Sequence, residues 1–232
     1  MADKMSTSTP NRTVTAADVP TGLAWFRQSV GYYTGLMDAA ATKQYEADSA
    51  RRKELKQCTQ CEEYRDWILR YSPTVRFMQE QVAKVGGNLD RNNIYCRHCD
   101  QWKGGGFHPT RGILLCQNRI IDRSHLEDTI AHELVHAYDQ CKFEVDWLNL
   151  RHHACSEIRA SSLSGECRMT NEFFRNRIFK ITRQHQECVR RRAVLSVTAN
   201  PNCADAAMAE KVVDLVWDSC FNDTRPYDEI YR

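Results

Sequence analysis

Residues 124–141 read SHLEDTIAHELVHAYDQC, and within them His132, Glu133 and His136 make the pattern H-E-x-x-H. On a helix, positions i and i+4 lie on one face. Both imidazoles can then meet one Zn²⁺ as neutral ligands, with Glu133 beside them as base for a water. The run also opens like a helix. Ser124 can cap it, and Glu127 follows three residues later to complete a capping box. Ile130, Leu134, Ala137 and Cys141 form an apolar stripe on a different face from the histidines. The helix is therefore expected to bury one side and present ligands on another.

A catalytic zinc needs a third protein ligand and an open position. Three downstream residues are candidates: Asp139, His153 and Glu157. Asp139 shares the helix but lies roughly 4.5 Å of rise beyond His136. That suits accepting the distal N–H of a ligand or holding an arginine. His153 and Glu157 are again i and i+4, and a chain that turns back after Cys141 can bring their face to the metal. Glu157 is favoured as the third ligand, with Asp139 and His153 as supporting candidates. One catalytic Zn²⁺ and no other cofactor is expected. Glu133 would take a proton from water and pass it to the leaving amine. His108 and Tyr138 are oxyanion candidates that spacing does not separate.

The chain has 232 residues, 42% of them apolar, which is ordinary for a globular protein. Its 32 basic and 30 acidic residues leave a net charge of +2, which gives no footprint for nucleic acid. No apolar run approaches the length that spans a bilayer. Eleven cysteines are the outlier. They are scattered rather than grouped in fours, which favours disulfides over thiolate metal binding. An odd count leaves at least one thiol free or intermolecular. Cys58, Cys61, Cys96 and Cys99 could form a four-cysteine zinc site, a weaker reading at that separation. The first twenty residues show no apolar signal-peptide core, so many cysteines without a secretory signal is the combination to explain.

Residues 1–20 read as a disordered tail and 21–57 as an N-terminal helical extension. Residues 21–33, with Trp25, Phe26, Val30, Tyr32 and Tyr33, either pack on the protein or touch a membrane or partner. Helices are expected at 39–56, 58–71 and 74–85, with strands at 93–96 and 113–116 around a flexible loop at Gly104–Gly105–Gly106. The second strand could be an edge to which an extended substrate adds. Further helices fall at 146–160, 171–182, 188–199 and 204–220. The last buries Met208, Val212, Leu215, Val216 and Cys220, and a Cys188–Cys220 staple would close a helical hairpin. The whole reads as an α+β, zincin-like metalloprotease, mostly helical with a small sheet. Its peptidase domain spans 58–225, with a C-terminal tail at 226–232.

Three blocks carry a resemblance: GGGFHPTRGILLCQNRI, TIAHELVHAYDQC and VDWLNLRHHACSEIRASSLSGEC, with CFNDTRP trailing. In this order they resemble the mitochondrial metalloprotease family that matures and assembles the ATP synthase membrane sector. The resemblance implies an enzyme on the intermembrane-space side of the mitochondrial inner membrane, attached peripherally. It implies removal of the N-terminal leader of ATP synthase subunit 6 and help in joining subunit 6 to the subunit 9 ring. His132, Glu133 and His136 carry over as ligand, catalyst and ligand, whereas Glu157 rests on geometry. That compartment would also explain many cysteines without a cleaved presequence. The runner-up is a non-proteolytic assembly factor for the same membrane sector, against which the intact Glu133 counts.

Overall fold

The structure is a computed structural model that describes residues 19–168 and 184–228. It divides into two units, residues 1–60 and 61–232. The helix expected at 171–182 lies outside the described residues, as does the tail to residue 18.

In the first unit, α1 (Gly22–Tyr33) is followed by a turn with Gly35 at φ 70°, a left-handed conformation that glycine adopts without strain. The Asp38 carboxylate accepts the Ala41 N–H at 2.7 Å and starts α2 (Ala39–Tyr71). Trp25 and Tyr32 of α1 both stack on Tyr45, at 4.8 and 4.5 Å between ring centroids. The Arg52 guanidinium lies over the Trp25 ring and donates to the Pro20 carbonyl. The two helices expected at 39–56 and 58–71 are one continuous helix of 33 residues. No glycine or proline interrupts it.

In the second unit α2 ends at Ser72, whose hydroxyl accepts the Val75 N–H and caps α3 (Pro73–Lys84), with Pro73 in its first turn. Three short strands follow: β1 (Ile94–Arg97), β2 (Gly105–His108) and β3 (Gly112–Cys116). Their order is β1-β3-β2, β1 parallel and β2 antiparallel to β3. The strand read as an edge is therefore the central one. The edge is β2, built partly from the glycines read as a loop. Glycine is needed there. A Cβ on Gly105 would lie 2.9 Å from the Leu114 carbonyl oxygen and 3.0 Å from Thr129 Cγ2. Gly112, at φ 87°, meets Asn93 so closely that a Cβ would sit 2.1 Å from its carbonyl oxygen.

The central helix α4 (Arg123–Lys142) begins two residues earlier than a Ser124 cap would allow. Asp122 is the cap, accepting the His125 N–H at 2.8 Å, and Glu127 instead accepts the Ser72 hydroxyl at 2.6 Å. Both Asp and Ser cap well, and the one standing further upstream adds two residues to the helix. Leu126, Ile130, Leu134, Val135 and Ala137 are buried against α2, α3 and the sheet, while Cys141 is exposed at the helix end. Each buried Leu or Ile contributes about 1.5–3 kcal/mol.

After α4 comes α5 (Leu150–Leu163), capped by the Asn149 carboxamide. Its C-terminal Ala160 and Leu163 join the first core. Leu150, Ala154 and Ile158 join a second core with α6 (Gln184–Thr198) and α7 (Ala206–Phe221). The buried face of α7 is Ala209, Val213, Trp217, Cys220 and Phe221. Met208 and Leu215, expected inside, are exposed. The difference follows from α5 lying against both helices, which selects the stripe that includes Trp217. The same packing corrects the Cys188–Cys220 staple. The disulfides are Cys155–Cys220, Cys167–Cys188, Cys61–Cys96 and Cys99–Cys116, which removes the four-cysteine zinc alternative. No helix among the described residues is long and apolar enough to cross a membrane.

Candidate metal centre and peptidase site

One turn apart on α4, His132 and His136 turn their Nε2 atoms toward each other at 3.1 Å. Glu157 reaches them from α5, with its oxygens 3.5 Å from His132 Nε2 and 3.4 Å from His136 Nε2. One ligand atom from each lies within 4.8 Å of the others. His136, Glu133 and Glu157 are buried. Two adjacent imidazoles and a carboxylate meet here because the chain reverses at 143–149 and α5 packs back across α4.

Neighbouring groups decide which ring nitrogens carry protons. Ser156 has one hydroxyl proton and gives it to Asp139 Oδ2 at 2.8 Å, since a carboxylate can only accept. The Ser156 oxygen then accepts from His136 Nδ1, also at 2.8 Å. His132 Nδ1 faces the Glu166 carboxylate at 3.2 Å and donates to it. In their neutral forms both rings therefore carry the proton on Nδ1, and both Nε2 lone pairs point into the same space as the Glu157 carboxylate. Two such lone pairs and a carboxylate form a donor set that could hold a metal ion, and without one a proton on His132 is favoured. A tetrahedral zinc with ligands at about 2.0–2.1 Å has edges of about 3.4 Å between them. The Nε2–Nε2 separation of 3.1 Å and the 3.4 Å from His136 Nε2 to Glu157 Oε1 are near that edge, while the oxygen 3.5 Å from His132 Nε2 is Oε2.

His153 stands apart from the three. Asn200 donates its amide N–H groups to the Trp147 carbonyl and to His153 Nδ1, both at 2.9 Å. Its Nε2 therefore carries a proton and donates to Glu157 Oε1 at 3.3 Å. In this tautomer His153 holds the carboxylate and offers no lone pair beside the other two rings. Asp139 is not among the three either. Its carboxylate is clamped by Arg159 at 3.0 Å and acts on His136 through Ser156. Arg159 also donates to the carbonyls of Asp223 and Arg225, at 2.7 and 2.6 Å, so the segment after α7 is fastened to the back of the site.

Electrostatics follow from this crowding. Burial opposes charge on His132, but Glu166 and Glu157 outweigh it and hold its pKa well above the ordinary value. Burial alone would raise Glu157. The positive charge that the surrounding imidazoles take up, His136 first, instead holds it well below the usual carboxylate range. The same contest lowers Glu166, where burial yields to His132 and then to Arg192, with which it pairs. Glu133 goes the other way. Burial raises its pKa against the pull of the two histidines. Burial also raises Asp139, against Arg159.

Facing the site from the strands, a Cβ on Gly105 would lie 3.4 Å from Glu133 Oε1, so edge strand β2 runs directly beside that carboxylate. Trp147 packs edge-on to His136 and Phe107, at 5.6 and 6.4 Å, with its indole N–H on Gln140. His108 is at the exposed end of β2, where its Nδ1 accepts from Thr110, and Tyr138 packs in the first core. Sequence reasoning missed Ser156, Trp147 and Glu166, while the arginine expected on Asp139 is Arg159. Ser156 neighbours the candidate ligand Glu157, but no spacing rule points to it. Glu166 follows the end of α5 and is brought in only by tertiary structure.

A family model described as the Peptidase M76 family matches residues 59–228. Curated relatives span most of the chain. A mitochondrial inner membrane protease ATP23 of Yarrowia lipolytica is 57% identical over 219 residues, covering 94% of this chain and 88% of the relative. Proteins of the same name from Kluyveromyces lactis and Saccharomyces cerevisiae (strain ATCC 204508 / S288c) are 59% and 55% identical. Each covers 91% of this chain, and the match covers 90% and 96% of those relatives. No solved structure matches.

Proposed function

The chain belongs to the Peptidase M76 family, and from that premise we propose that it is a zincin-type zinc endopeptidase. His132, His136 and Glu157 hold the ion and Glu133 is the catalytic base. The observation that carries this reading is the convergence of two imidazole lone pairs and a buried carboxylate on one space. A bound Zn²⁺ supplies Lewis acidity, which acidifies water and polarises a peptide carbonyl. Glu133 takes the proton of the attacking water and later returns it to the leaving amine. Ser156 and Glu166 keep both ligand rings in the tautomer with Nε2 free. Trp147 and Phe107 wall the site with apolar surface. An extended substrate lies along β2, the edge beside Glu133, and uses that strand's open side for backbone hydrogen bonds.

The substrate we propose is the precursor of ATP synthase subunit 6, cleaved at its N-terminal leader, with a separable role in joining subunit 6 to the subunit 9 ring. The enzyme works on the intermembrane-space side of the mitochondrial inner membrane, attached peripherally. Three facts support the placement. The relatives are named inner membrane proteases. Four disulfides suit an oxidising compartment. No described helix can cross a bilayer.

The test is metal content and cleavage of a subunit 6 leader peptide, measured on the full chain purified without chelators. Wild type should hold about one zinc and cleave. Glu133→Gln should keep zinc and lose about 10²–10⁴-fold in rate. Glu157→Ala should lose zinc, and His153→Ala should retain it. A Glu133→Gln enzyme with normal turnover, or zinc-free wild type, would sink the peptidase reading. Subunit 9 ring assembly surviving in Glu133→Gln would establish the second role.

A further inference from the structure

Residues 19–37, VPTGLAWFRQSVGYYTGLM, contain a single charge, Arg27, in a chain that is 27% charged. The structure shows how α1 uses them. At 100° per residue, Gln28, Tyr32, Trp25 and Ser29 occupy one side of the helix. There Trp25 and Tyr32 stack on Tyr45, and Ser29 accepts the Tyr45 hydroxyl at 3.2 Å. Leu23, Phe26, Val30 and Tyr33 fall within an arc of about 80° on the other side. They are 63%, 62%, 43% and 81% exposed, and Leu36 in the following turn is 82% exposed. Arg27 sits at the rim of this arc, also exposed. The helix is thus amphipathic, with its aromatic side packed on Tyr45 and its apolar side turned to solvent.

We propose that this face of α1 docks on an anionic bilayer surface, with Leu23, Phe26, Val30 and Tyr33 in the headgroup–acyl boundary and Arg27 on lipid phosphate. The observations favour lipid over a protein groove. Anionic headgroups favour basic over acidic side chains, and α1 carries Arg27 and no acid. Aromatic rings among aliphatic side chains suit the membrane interface. No helix among the described residues is long and apolar enough to cross a bilayer, so among them attachment rests on surface contacts such as this one. The inference rests on the peripheral inner-membrane placement proposed above and names the contact.

The experiment is flotation of the full-length chain with vesicles of phosphatidylcholine, with and without admixed phosphatidylglycerol. Peptidase activity on a soluble peptide is followed in parallel. Leu23→Gln with Phe26→Gln should weaken partitioning about tenfold or more. Arg27→Gln should weaken it about fivefold, on the anionic vesicles alone. Leu195→Gln and Leu215→Gln remove side chains of like exposure on α6 and α7 and should leave it unchanged. All variants should cleave the peptide as wild type does, which separates lost docking from lost folding. If an active wild type fails to float, or the α1 variants float equally well, the inference falls and the peptidase reading stands. If the α1 variants instead turn a dimer into a monomer with flotation unchanged, the face belongs to a second copy and the lipid assignment is wrong. Flotation by an inactive, zinc-free wild type would sink the peptidase reading alone.

Discussion

At the scale of single residues, three histidines near one carboxylate are given different jobs by what sits behind them. His136 has Ser156 and Asp139 behind it, so its Nε2 is a lone pair. His153 has the Asn200 amide behind it, so its Nε2 is a donor. Ser156→Ala deletes the acceptor that fixes the His136 tautomer without touching a ligand. We expect zinc affinity to fall about 10–100-fold, measured by competition with a chromogenic chelator. Unchanged affinity would mean that Ser156 only fills space. The H-E-x-x-H run and the His153/Glu157 pair were legible in sequence because helical periodicity puts i and i+4 on one face. Which of the second pair faces the space between His132 and His136 was not legible. It depends on a proton, and the proton on Asn200, 47 residues downstream.

Among the elements, α4 is recognisable from its stripe of Ile130, Leu134 and Ala137, whereas β2 is not, because three consecutive glycines read as a loop. The reason lies in packing. Strand propensity describes side chains that fill a pleated surface, and here the surface must be empty so that α4 can approach. Long helix α2 was split in reading for the opposite reason. Its charged and cysteine-bearing halves differ in composition, though nothing in the backbone breaks it. Gly105→Val tests the approach. The added side chain meets Leu114 and Thr129, so β2 must separate from α4. We expect a loss of about 1–3 kcal/mol in chemical denaturation, and slower peptide cleavage with zinc retained. A stable, fully active variant would show that β2 does not need to lie so close.

Over the whole molecule, the second unit has two apolar cores that share one helix. Four of five consecutive positions on α5 are committed: Cys155 to α7, Ser156 to His136, Glu157 to the metal group and Arg159 to Asp139. Cysteine pairing could not be read from sequence, since eleven cysteines allow many pairings and the choice follows from α5 lying between two helices. Replacing Cys155 and Cys220 together by alanine should cost about 2–5 kcal/mol, seen as a lower thermal midpoint. Zinc binding should weaken with it. A midpoint unchanged by the double replacement would mean that packing alone holds α5.

That covalent tie also sets an order of events. A newly made chain already carries both histidines and Glu133 on one helix, while Glu157 stands on another that the Cys155–Cys220 bridge ties to α7. We expect competence to cut to follow oxidation rather than synthesis. Pulse-oxidised protein, sampled over time, should gain cleavage no earlier than the Cys155–Cys220 bridge.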